Sequence, residues 1–171
     1  MLIDTHSHVS FQAFKDDADV VLKRALKNNT WVIMPGTQFS TSQKAVEMAK
    51  RYPQGVYAAI GLHPIHLGEQ RKVDTLELQS ELPAPLETAR LGRAQFLAGF
   101  ETKAEEFNYE AYKSLFTKTE RSHNFRNKVV AIGECGLDYY YEPKGKEKRE
   151  AQRRKQKTAL ALHLKLAEEL N

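Results

Sequence analysis

Three polar residues near the start of the chain, Asp4, His6 and His8, stand at alternate positions behind the apolar pair Leu2 and Ile3. In an extended strand successive side chains point to opposite faces, so these three are expected to share one. A carboxylate and two imidazoles suit a metal better than an apolar core, because neutral imidazole nitrogen is a ligand for Zn, Mn, Fe or Ni. A surface loop that happens to hold two histidines is the plainer explanation of a bare His-x-His. Two further stretches argue against it. Gly61-Leu-His63-Pro64 and Gly133-Glu134-Cys-Gly136 also follow short apolar runs, and each presents a metal-competent side chain just beyond its run. Pairing with a lysine would account for Glu134 structurally. Next to the histidines of the first strand, a ligand is the expectation, and the glycines around it are expected to permit tight backbone approach.

These side chains need a scaffold that brings distant segments to one place. Strands are expected near residues 2–5, 31–34, 56–60 and 129–133, and the second and third read as strands buried on both faces. Helices are expected over about 16–28, opened by Asp16 and Asp17, and over 40–52, capped by Ser40 or Thr41. Alternating strands and helices mean βαβ units and a parallel sheet, where chemistry gathers in the loops at the carboxyl ends of the strands. His6, His8, His63 and Glu134 all fall at such ends. A last helix, about 146–170, is expected to bury Leu160, Leu164 and Ala167, with His163 on its face. Residues 69–127 are charged, helical in tendency and interrupted by Pro83 and Pro85. They read as a helical insertion or extended connection within a single domain of residues 1–171, with His123 as a surface residue.

Composition is that of an ordinary soluble globular protein, 41% hydrophobic and 28% charged over 171 residues. The lone Cys135 excludes an internal disulfide framework and suits a reducing compartment. The start lacks the basic and apolar regions of a signal peptide, and no run approaches the ~18 apolar residues of a spanning helix. A cytoplasmic location without membrane contact is expected. The net charge of +4 is unevenly spread, since Lys144–Lys157 holds eight Lys/Arg and two Glu. Such a run can follow nucleic-acid phosphates, although composition alone favours a solvated helix start.

Asp4-Thr-His6-Ser-His8, Gly61-Leu-His63-Pro64 and Ala131-Ile-Gly-Glu134-Cys-Gly-Leu-Asp138-Tyr-Tyr together resemble the TatD family of metal-dependent deoxyribonucleases. Their order and register match, and Leu166–Asn171 resembles the family's segment after the glutamate. The resemblance implies an α/β, TIM-barrel-type (βα)8 hydrolase with two divalent metals, Mg, Mn or Zn, at the strand ends. It implies that His6 and His8 hold one metal and that Glu134 bridges it to a second and acts in catalysis. It implies that His63 contacts a metal-bound water or a phosphate, and that His63, Asp138, Tyr139 and Lys144 meet the substrate. DNA, single-stranded or at 3′ ends, is the implied partner, with the basic run flanking the opening.

A TIM barrel takes eight strands and ~250 residues, whereas four strands are expected here. The resemblance thus covers about the first half of the fold, with a connection over 69–127 longer than is usual in the family. The chain is expected to be a fragment, a truncated reading frame or a degenerate relative, impaired as a nuclease and able to self-associate through unpaired sheet edges. Two alternatives stand beside this reading. One is another His-x-His barrel hydrolase for amides or phosphotriesters, although such enzymes often carry a bridging carbamylated lysine where this chain has Glu134. The other is a non-catalytic half-barrel that binds metal or serves as an interaction module.

Overall fold

Short apolar runs can bury both their side chains and their backbone polar groups only by pairing with one another. In the computed structural model, which describes residues 1–68, 72–73, 100–101, 103–116, 127–140 and 142–171, they do so in parallel. Strands β1 (Leu2–Asp4), β2 (Thr30–Pro35) and β3 (Val56–Ile60) are followed by a small antiparallel ribbon, β4 (Lys72–Val73) with β5 (Phe100–Glu101), and then by β6 (Val129–Ile132). One sheet runs in the order β1-β2-β3-β6 with every neighbouring pair parallel. Parallel neighbours require crossovers, supplied by α1 (Ala18–Lys27) and α2 (Phe39–Lys50). Helix α3 (Tyr109–Leu115) precedes β6, and α4 (Lys146–Leu170) follows it. This is the strand–helix alternation of a TIM-barrel-type α/β fold, here an open sheet of four strands.

The core lies on the helix-covered side of the sheet. Val32, Met34, Val56, Ala58 and Ile60 pack with Leu22, Ala45, Val46, Met48 and Ala49, and with Ala159 and Leu166 of α4. Fully burying a side chain such as Leu22, Ile60 or Leu166 contributes on the order of 1.5–3 kcal/mol. The opposite side is less enclosed than the apolar runs suggested. Trp31, Ile33 and Tyr57 are only partly buried, because the described helices cover the other side alone. Among the described residues β1 and β6 are the open edges, leaving Leu2 69% and Val130 49% exposed.

Several local readings need correction. Helix α2 starts at Phe39, with Gln38 rather than Ser40 or Thr41 as its N-cap. Thr41 instead turns its hydroxyl back to accept from the Gln38 and Thr37 N–H groups at 2.9 and 2.8 Å. Phe39 N–H donates to Glu105 Oε1 at 3.0 Å, so a carboxylate from the segment before α3 sits on the positive end of α2. Helix α4 is turned by about one residue from the expected face. Its buried stripe is Gln156, Ala159, His163 and Leu166, while Leu164 is 62% exposed. Two polar residues on that stripe meet backbone groups that would otherwise be unpaired, and this selects the rotation. The expected insertion over 69–127 lies largely outside the described residues, as does His123. Its described parts include a helix, α3, where a helical tendency was expected, and the β4–β5 ribbon, which was not expected. Among the described residues no helix is long and apolar enough to cross a membrane.

Two buried imidazoles make this packing sensitive to acid. His163 and His66 are both held below the usual histidine value of 6.5, chiefly by burial. Their stabilising neutrality is fully present above 6.5, the value in an unfolded chain. It declines as pH falls through that point, because the unfolded chain then takes up protons the folded chain resists. Thermal melts are expected at lower temperature near pH 5 than above about pH 7. Replacing both residues by Gln should flatten that difference, and an unchanged pH dependence in the double variant would contradict the assignment.

Candidate metal centre

Parallel strands deliver their carboxyl ends to one edge of the sheet, so residues far apart in sequence meet there. His6 and His8 follow β1, His63 follows β3, and Glu134 follows β6. The Nε2 atoms of His6 and His8 lie 3.0 and 3.2 Å from the same carboxylate oxygen, Oε1 of Glu134. Nε2 of His63 is 3.7 Å from the other oxygen, Oε2. One ligand atom each from His6, His8 and Glu134 falls within 4.8 Å of the others. The strand itself stops at Asp4, however. Asp4 does not share the face expected of it, because its Oδ1 turns back to accept from His6 N–H at 3.1 Å. The two histidines therefore reach the site from a turn beyond the strand, not along it.

Backbone spacing makes the convergence possible. A Cβ at position 61 would stand 2.6 Å from the carbonyl oxygen of Glu134 and the carbonyl carbon of Gly133, so only glycine lets the ends of β3 and β6 approach this closely. Gly133 and Gly136 both leave open space, which corrects the expectation that the glycines beside Glu134 permit the close approach. Gly136 serves through its φ of 150°, a conformation that side chains rarely adopt. Glu134 N–H donates to the Gly36 carbonyl at 2.9 Å, tying the residue to the end of β2 as well.

The electrostatics point to a cation. The Glu134 side chain is 19% exposed, and its Oε1 is buried without an aligned hydrogen bond although two imidazole nitrogens stand close by. A buried acceptor left this way costs about 1–3 kcal/mol. Burial is the largest influence on the carboxyl and raises its pKa. The His8 ring, then the charges of His63, His8 and His6, outweigh it and hold the group below the usual glutamate value. Ligands each ~2.1 Å from one ion stand roughly 3–4 Å from one another, as the two His–Glu separations do. The residues present fit a divalent ion held by His6 Nε2, His8 Nε2 and Glu134 Oε1.

His63 differs from the other two histidines. Its Nδ1 accepts from Ile65 N–H at 3.1 Å, which leaves the proton of the neutral ring on Nε2, the atom facing Glu134. That edge is a donor, suited to an anionic oxygen more than to a metal.

The remaining expected site residues are tied elsewhere. Asp138 exchanges backbone hydrogen bonds with the Gln156 side chain of α4 at 2.9 and 2.7 Å, and its Oδ1 accepts from Tyr140 N–H at 2.9 Å. Tyr139 lies under the Arg153 guanidinium at 4.7 Å, and Arg153 also pairs with Glu142. Lys144 is exposed in the turn before α4. Among the described residues, no hydrogen bond or ion pair joins these three to the histidine–glutamate cluster. The sequence reading missed Gln156, Ser42 and Glu105. A glutamine in helical register with Ala159, His163 and Leu166 was the available signal for the first; a lone serine or glutamate carried none.

Comparison with known proteins agrees with the geometry. A family model described as TatD related DNase matches residues 3–171. An uncharacterized metal-dependent hydrolase of Escherichia coli, YjjV, is 36% identical over 81 residues, 47% of this chain and 31% of its own length. An uncharacterized metal-dependent hydrolase of Bacillus subtilis, YabD, is 28% identical over 148 residues, 86% of this chain and 41% of its own. A human deoxyribonuclease, TATDN3, is 25% identical over 176 residues, covering 99% of this chain and 49% of its own. The chain thus spans less than half the length of each of these three relatives.

If the cluster holds a divalent ion, its three ligands should dominate the affinity. Calorimetric titration with Zn or Mn is expected to show binding weakened at least about 100-fold in His6→Ala, His8→Ala and Glu134→Gln, beyond the 10–100-fold typical of an outer partner. His63→Ala should change it far less. Comparable losses in all four variants would make His63 a ligand too.

Proposed function

Because the chain belongs to the TatD related DNase family, we propose that it is built for metal-dependent hydrolysis of phosphodiester bonds in DNA. The observation that carries this is the pair of imidazole nitrogens 3.0 and 3.2 Å from a buried carboxylate oxygen that has no hydrogen-bond partner. A divalent ion held by these residues supplies Lewis acidity, activating water and stabilising charge on the phosphate. His6 and His8 would contribute nitrogen lone pairs to hold the ion, and Glu134 a carboxylate that would also bridge to a second. His63, with its Nε2 proton directed into the site, donates a hydrogen bond to a phosphate oxygen. The loop after β6 leads into α4, and in this reading the exposed Lys144 and Lys146 at that junction take up backbone charge of the strand being cut. Asp138 and Tyr139 shape that same loop and meet the nucleotides, at single-stranded segments or 3′ ends. A cytoplasmic setting and association through the open edges of β1 and β6 belong to this reading.

Among the described residues His6, His8 and Glu134 are the one group of its kind. They supply ligands for one ion, whereas the two-ion clamp stabilises both attacking and leaving oxygens. The 171-residue chain is therefore expected to bind metal but to turn over slowly. The assay is cleavage of a single-stranded DNA oligonucleotide with Mg, Mn or Zn, beside an amide and a phosphotriester. Weak diester cleavage, lost in His6→Ala, is the expected outcome. Preferential amide or triester hydrolysis would move the chain to another class of metal hydrolase. Metal binding with no hydrolysis of any substrate would favour a binding module.

A further inference from the structure

The loop that carries His63 is held by three consecutive backbone amides, bonded to α2, to α4 and to the β2–α2 connection. Gly61 N–H donates to Ser42 Oγ of α2 at 3.2 Å, and Ser42 Oγ–H returns a bond to the Gly61 carbonyl at the same distance. His63 N–H donates to the Thr37 carbonyl at 2.9 Å. Between them, Leu62 N–H donates to Nε2 of His163 at 2.9 Å, across 101 positions of sequence. On its other side the ring donates from Nδ1 to the Ala159 carbonyl at 2.6 Å. Both nitrogens are committed, which makes this ring the neutral Nδ1–H tautomer with a single acceptor site. The ring is 1% exposed and packs against Phe107 with centroids 4.0 Å apart. Phe107 in turn stacks on the buried Tyr112 at 4.6 Å.

From this arrangement we infer that His163 is a positioning residue for His63, setting the peptide that aims His63 Nε2 at the metal centre. Leu62 is itself 1% exposed, so without the imidazole its N–H would be buried and unpaired. A loop under that penalty turns to find another acceptor. Leu62 immediately precedes His63, so any such turn swings the imidazole away from Glu134 Oε2, now 3.7 Å off. Leucine at 163 would fill the space without accepting. Glutamine would place an amide oxygen where Nε2 now stands. The catalytic consequence rests on the proposed role of His63; the positioning does not.

The test is nuclear magnetic resonance on the full chain without metal. In the unsubstituted protein, a scalar coupling across the hydrogen bond between Leu62 15N and His163 Nε2 is expected, with His163 as the Nδ1–H tautomer. In His163→Leu, Leu62 amide exchange should rise at least tenfold and the His63 ring resonances should move. In His163→Gln both should return towards the unsubstituted values. Absence of the coupling would overturn the inference, as would His63 resonances in folded His163→Leu that coincide with the unsubstituted ones. Should the leucine variant not fold, the coupling and the glutamine variant decide alone. Mn titration of the same samples separates the two ideas. An unsubstituted protein that shows the coupling but binds no Mn removes the metal-hydrolase reading and leaves the positioning intact.

Discussion

A carboxylate ringed by imidazoles inside a protein has to be answered by positive charge, and much of this structure arranges that answer. Burial pushes the Glu134 carboxyl up from the usual glutamate value, yet the histidines around it outweigh burial and hold it below that value. That balance requires four side chains from three strand ends to arrive within a few ångströms. Parallel pairing supplies the common edge. Gly61 supplies the closeness between β3 and β6, and the bond from Glu134 N–H to Gly36 adds β2 to the same knot. Had β3 and β6 been antiparallel, His63 and Glu134 would leave from opposite ends of the sheet.

The residues of the centre were legible in the sequence because their signal is local: an apolar run, then a ligand-type side chain. The four strands of the parallel sheet and the placing of His6, His8, His63 and Glu134 at their ends follow from that repeated phrase, whereas the β4–β5 ribbon does not. What was not legible depends on rotation and distance. Period-2 reasoning assigned Asp4 to the same face as the histidines, but β1 ends at Asp4 and the alternation ends with it. Leucines marked one face of α4, and the helix is turned to the neighbouring one. Its orientation is decided by two loops, seen only once folded, whose backbone groups need Gln156 and His163.

That rotation shows how polar residues on a buried stripe specify more than leucines do. Leu166 and Ala159 would pack acceptably over a range of helix positions, since apolar contact is non-directional. Gln156, bonded twice to the backbone of Asp138, and His163, bonded to Leu62, accept only one. They also join the loops after β6 and β3 to the same helix. A single rigid rod thereby holds two of the three loops that form the centre. The segment before α3 ties the start of α2 to the loop after β3: Glu105 receives Phe39 N–H and the Tyr112 hydroxyl, while its own N–H donates to the His66 carbonyl.

The charges of α4 run against its own dipole. Cations crowd its first half, where the helix end is already positive, with Glu147 the one acid of its first turn. Glu168 and Glu169 sit in its last turn, where the end is negative and no basic residue stands. Such charges oppose the macrodipole in the first and last turns, although Lys113 and the Tyr109 hydroxyl answer Glu169 from α3. Tertiary contacts hold the helix in spite of its electrostatics. A polyanion settling along the first turns would relieve that tension as it bound, so occupancy and helix stability are thermodynamically linked.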